Sequence, residues 1–173
     1  MTGPAHLLPL DQVRDGGRID IVADEAERAE LADRLSLLSL DRLDAHVVLS
    51  REGKRVRACG RFKAVLDQAC VATGEPVRCR LDEPFEVIFL PEPKIGQPDS
   101  EIELNGDELD TMFHDGRTID LGAAVADSLA LALDPYPRSP AAEKALKDAG
   151  VISEEEAGPF AALAALKGKL SGE

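Results

Sequence analysis

The sequence predicts an α+β fold: an antiparallel β-meander or partly closed sheet with flanking helices and a C-terminal helical tail. Three observations carry that expectation. Apolar residues alternate with period two from Leu43 and again from Lys54, the strand-like runs are joined by short turns, and an apolar stretch after Asp120 repeats with the period of a helix. Residues 1–138 are expected to form the α+β core, with an acidic loop over 91–118, and residues 139–173 the helical tail.

In chain order, Ile19 and Ile21 mark a short strand. Asp24 followed by Glu27 has the spacing of a capping box, and Leu31, Leu35 and Leu38 give the helix behind it a narrow apolar stripe. Leu43, Ala45, Val47 and Leu49 alternate with Asp44, His46, Val48 and Ser50 as a half-buried strand does, and Glu52-Gly53 supplies a hairpin turn. The returning strand places Val56, Ala58, Gly60, Phe62 and Ala64 on one face and Arg55, Arg57, Cys59, Arg61 and Lys63 on the other. VRCRL and PFEVIFL read as a third and a fourth strand. The Pro-, Gly- and acid-rich PEPKIGQPDSEIELNGDELD reads as a loop with one short strand at Glu101 to Leu104. Asp120 then caps a helix lined by Leu121, Val125, Leu129 and Ala132 or Leu133, which Pro135 and Pro137 end.

At 173 residues, 44% of them hydrophobic, the chain can build a core without staples. With no Trp, one Tyr and five Phe, that core is aliphatic. Three cysteines, no apolar run of membrane length and no charged-then-apolar leader point to a cytoplasmic protein without disulfides. The net charge of −13 repels phosphates, yet it conceals a local reversal. From Arg51 to Arg80 eight basic residues face three acids, whereas from Leu81 to Thr118 eleven acids face Lys94 and Arg117.

The basic strand face is the first candidate site. Arg55, Arg57, Arg61 and Lys63, with Arg78 and Arg80 on the next strand, repeat at ~6 to 7 Å between alternate residues, close to the phosphate spacing of an extended nucleic-acid strand. Phe62 points to the opposite face, so contact there reads phosphates and shape rather than stacked bases. Nucleic acid and an acidic protein surface fit this feature equally, and a solvated sheet face is the ordinary alternative.

CVATGEPVRC, Cys70 to Cys79, resembles half of a metal site, but zinc takes four donors and the third residue after Cys70 is Thr73. A turn with Gly74 at positive φ is the simpler reading. His46, His114 and Asp115 are the residues that hint at catalysis, and no nucleophile elbow, phosphate-cradling loop or carboxylate pair accompanies them. Asp99, Glu101 and Glu103 could meet Mg²⁺, but such runs are ordinarily solvated. No catalytic residue, metal or cofactor is therefore expected. In the tail, Phe160, Leu163 and Leu166 or Lys167 follow Pro159 as anchors for another protein's groove or for the chain's own domain.

Three of these segments resemble the YceD family, the large ribosomal RNA subunit accumulation proteins. TIDLGAAVADSLALALDPYPRSP is similar to its helix-plus-proline signature, and PFAALAALKGKL to its C-terminal N-P-F-x-x-L-x-x-L-K ending, with Gly158 where Asn is usual. CVATGEPVRCRLDEPFEVIFLPE is similar to its central hairpin in the form associated with alphaproteobacterial members. Many members carry C-x-x-C where this chain has Cys70 to Thr73, so thiol or metal chemistry resting on that pair does not carry over. The resemblance implies a non-enzymatic, RNA-associated factor for the accumulation of large-subunit (23S) ribosomal RNA. Its partners would be that RNA or a pre-ribosomal particle, with a ribosomal or RNA-processing protein, and no membrane. The rival expectation is a protein-protein adaptor, binding an acidic or large-subunit ribosomal protein and affecting RNA indirectly.

Overall fold

The structure, a computed structural model, describes residues 6–92 and 110–151. The chain forms two units, Met1–Gln68 with Arg78–Pro135, and Ala69–Val77 with Tyr136–Glu173, each taken here over its described residues.

The first unit is α+β. Strand β1 (Leu7–Pro9) is followed by β2 (Arg18–Val22), helix α1 (Glu25–Arg34), then three long strands, β3 (Ser39–Glu52), β4 (Arg55–Ala69) and β5 (Pro76–Pro91). Short strands β6 (Thr111–His114) and β7 (Thr118–Asp120) lead into helix α2 (Leu121–Ala132). One sheet has the order β2-β3-β4-β5-β6 and the other pairs β1 with β7. The larger sheet is mostly antiparallel and is not closed, which is the open form of the expected sheet, with β2 and β6 at its edges.

Alternation decides which face of β4 is core. Val56, Ala58, Phe62, Ala64 and Leu66 are buried, while Arg57, Arg61 and Lys63 between them are exposed. The buried set joins Leu43, Val47 and Leu49 of β3, Val87 and Phe89 of β5, Leu31 of α1 and Leu121, Val125 and Leu129 of α2 in one aliphatic core. Both helix starts behave as the spacing predicts. Asp24 and Glu27 exchange hydrogen bonds of 2.9 and 2.8 Å, and the Asp120 carboxylate accepts from the Ala123 N–H at 2.8 Å. Caps of this kind contribute ~0.5 to 2 kcal/mol each.

Several elements differ from expectation. Helix α1 stops at Arg34 because Ser36 turns left-handed (φ 54°); Leu31 is fully buried and Leu35 half-buried, but Leu38 lies beyond the helix and is exposed. Strand β3 begins at Ser39 rather than Leu43, since an irregularity between Leu40 and Arg42 breaks the period without ending the pairing. VRCRL and PFEVIFL form one continuous strand, because the Asp82-Glu83-Pro84 stretch stays extended beside β4. Strand β6 covers β5 only from Ile88 to Pro91, so among the described residues proline at 84 costs no bond to β6. The segment read as an acidic loop over 91–118 contains β6, parallel to β5, near its end; the short strand expected at Glu101 to Leu104 lies outside the described residues.

The second unit holds the turn from Cys70 to Glu75 and helix α3 (Ala142–Asp148). That helix is the described part of the expected helical tail, and it ends before Gly150, where φ is 81°.

Candidate nucleic-acid interface

Because β4 is antiparallel to β3, with Asp44 opposite Lys63, His46 opposite Arg61 and Ser50 opposite Arg57, the outer sheet face brings cations and acids into rows. β5 completes them. Arg57 meets Glu86 at 3.2 Å, Lys63 meets Asp82 at 3.4 Å, and Arg61 clasps Asp82 twice, at its carboxylate and, at 2.8 Å, at its carbonyl. Arg78 bridges Asp41 at 2.6 Å and Asp67 at 2.9 Å. On the β2 side, His46 lies 2.6 Å from Asp20. Arg55 is half-buried, and Arg80 is exposed with no ion pair among the described residues.

The charge of this face is therefore largely balanced from within, which the sequence did not show. The rows remain accessible, since Arg57, Arg61, Lys63 and Arg78 keep between 46% and 55% of their side-chain surface exposed. Hydrogen bonding from Arg61 holds the Asp82 carboxyl below its ordinary value, and Arg78 does the same for Asp41. Pairs exposed to this degree are screened by solvent and contribute little, so an incoming anion can exchange with them at small cost. Cys59, amid these charges, has its thiol pushed up by desolvation and by Glu86.

The Cys70 turn is a separate polar cluster within the second unit. Cys70 N–H donates to Glu75 O and Gly74 N–H to Cys70 O, both at 2.8 Å, with Gly74 at φ 72° as the turn requires. Ser139 Oγ donates to Glu75 Oε2 at 2.8 Å, and the Thr73 hydroxyl reaches the same oxygen at 3.1 Å. The Ser139 N–H donates to Cys70 Sγ at 3.2 Å. That backbone donor, helped by Thr73 and by the Ser139 hydroxyl, lowers the Cys70 thiol from an ordinary value near 9 to about 6. Thr73 thus builds a hydroxyl-carboxylate network where a second thiol would stand, and no group of His, Cys, Asp and Glu among the described residues could hold a metal ion.

His114 is engaged at both ring nitrogens. Nδ1 accepts from Gly116 N–H and Nε2 donates to the Lys54 carbonyl, each at 3.0 Å, while the Asp115 carboxylate accepts from the N–H groups of Arg117 and Thr118. These are the bonds of a structural turn. Asp99, Glu101, Glu103, Pro159, Phe160, Leu163, Leu166 and Lys167 lie outside the described residues.

The fold and this face define an α+β protein whose most organised polar surface is an open, charge-laced sheet. The family comparison places it more narrowly: residues 58–167, more than half of the chain, match the family described as large ribosomal RNA subunit accumulation protein YceD. The chain belongs to the YceD family. No curated protein and no solved structure matches it. No helix among the described residues is long and apolar enough to cross a membrane.

Proposed function

We propose that this protein supports the accumulation of large-subunit ribosomal RNA as a non-enzymatic binding factor in the cytoplasm, meeting RNA or a pre-ribosomal particle through the outer face of β4 and β5. The family description supports the ribosomal role. The observation that carries the contact surface is the row of Arg57, Arg61 and Lys63 on one exposed face, extended by Arg78 and Arg80. Phosphates would take the places of Asp82, Glu86 and Asp41, so binding is modest, transient and salt-sensitive. The anchors Pro159, Phe160, Leu163, Leu166 and Lys167 would hold a second protein, a reading that rests on the sequence alone.

The test is a titration with large-subunit RNA fragments over a range of salt. Log K should fall with log salt at ~0.7 to 0.9 per phosphate contacted, and Arg57→Glu with Arg61→Glu should flatten the slope. An unaltered slope would remove the sheet face as the RNA site.

The internal ion pairs favour a second reading, a protein adaptor. A face already neutralised by its own carboxylates suits a partner of mixed charge as well as a polyanion. Affinity capture before and after nuclease separates the two: a ribosomal or RNA-processing protein retained after digestion favours the adaptor.

A further inference from the structure

The first unit contains a cleft of about 500 Å³ where β5 and β6 meet α2, bordering the charged rows at Glu86. Its apolar wall comes from Phe62, Phe85, Val87, Met112 and Leu131, and Leu131 stands 79% exposed at the mouth. Carboxylates surround it: Glu83, Glu86, Asp110 and Asp127. Glu86 and Asp127 already hold Arg57 and Arg34. Glu83 and Asp110 have no ion pair among the described residues.

An apolar pocket with an acidic margin selects its occupant by charge. A second copy of a chain with net charge −13 meets repulsion there, and so do residues 93–109, with five acids and one lysine. We propose that the cleft is a docking site for a short segment of a partner protein in which apolar anchors alternate with lysine or arginine. The volume lies within the ~300 to 1,000 Å³ of ordinary binding pockets and admits about two or three side chains. The apolar anchors enter beside Phe85, Met112 and Leu131, and the cations face Glu83 and Asp110. The cleft shares Glu86 with the charged rows, but its anchors and unpaired carboxylates are other residues, so the proposal does not depend on RNA contact.

The probe is a fluorescein-labelled peptide, Lys-Leu-Ala-Leu-Lys-Leu-Lys, titrated by fluorescence polarisation into the full-length protein. Leu131→Glu places a charge in the mouth, and Val22→Glu, at a site on β2 that is 75% exposed, adds the same charge elsewhere. Both sites are exposed enough to leave folding intact, which circular dichroism verifies. The expected result is saturable binding, weakened about tenfold by Leu131→Glu and unchanged by Val22→Glu. Simple attraction of a cation to an acidic protein would make both variants bind at least as tightly as wild type, and that outcome overturns the proposal. Lack of saturable binding, as when a second copy or another segment of the chain fills the cleft, overturns it equally.

Discussion

The ring of Phe85 lies over Gly60 on the neighbouring strand, so close that a β-carbon on Gly60 would stand 2.8 Å from Phe85 Cε1. The same β-carbon would strike the backbone carbonyl of His46 on β3. Phe85 and Phe62 face each other on this side of the sheet with ring centroids 6.3 Å apart, so glycine is what lets an aromatic pair close over the middle of β4.

Gly60→Ala should therefore destabilise the protein by about 1 to 3 kcal/mol, read as a lower midpoint in chemical denaturation. Adding Phe85→Leu should recover only part of the loss, because the His46 carbonyl cannot move aside as a side chain can. Full recovery would show that the ring alone demands the glycine.

Asp82 is the acid shared by Arg61 and Lys63. Asp82→Asn should leave the denaturation midpoint at neutral pH almost unchanged, since solvent screens a carboxylate this exposed. If the sheet face binds RNA, the same change should tighten binding and steepen its salt dependence, because two cations lose an internal competitor. The sign with pH follows from the lowered carboxyl: its stabilisation is present above the unfolded value of 3.8 and is lost as pH falls through the still lower folded one. In acid, then, the difference between variant and wild type should shrink.

The face itself was legible in the sequence because β4 is locally consistent: every second residue from Val56 to Leu66 is small or apolar, and cations fill most of the gaps. Its neutralisation was not legible. Asp82 sits in what reads as a break between two strands and Glu86 on the fourth strand, and only the pairing of β5 with β4 sets them beside Arg61 and Arg57. Strand β6 was missed for a related reason. Four residues carry too little periodicity, and their partner in the parallel pairing lies across an acidic stretch of the chain. The cleft of Phe85, Met112 and Leu131 draws on three elements distant in sequence, so no local pattern announces it.

Cys70 should titrate with an apparent pKa of about 6, measured by thiolate absorbance in a Cys59→Ser, Cys79→Ser background. Its value is lowered on folding, so the bond network adds stability that is complete above the unfolded value near 9 and disappears as pH falls through about 6. Thr73→Val should raise the thiol only in part, since the main donor is the Ser139 N–H and the Thr73 hydroxyl is shared with Glu75. Denaturation in urea should return it to an ordinary thiol. A folded protein whose Cys70 titrates near 9 would rule out the network.

His114→Ala tests whether this histidine holds a turn or performs chemistry. Truncation leaves the Lys54 carbonyl and the Gly116 N–H without their partner in a site where His114 is only 4% exposed. A buried group so orphaned costs about 1 to 3 kcal/mol, so the melting temperature should drop. Incubation with large-subunit RNA fragments should show no cleavage by wild type or variant, because both ring nitrogens are already bonded to backbone and neither is free to move a substrate proton. Cleavage by wild type that vanishes in the variant would instead make His114 a catalytic base and the protein a ribonuclease.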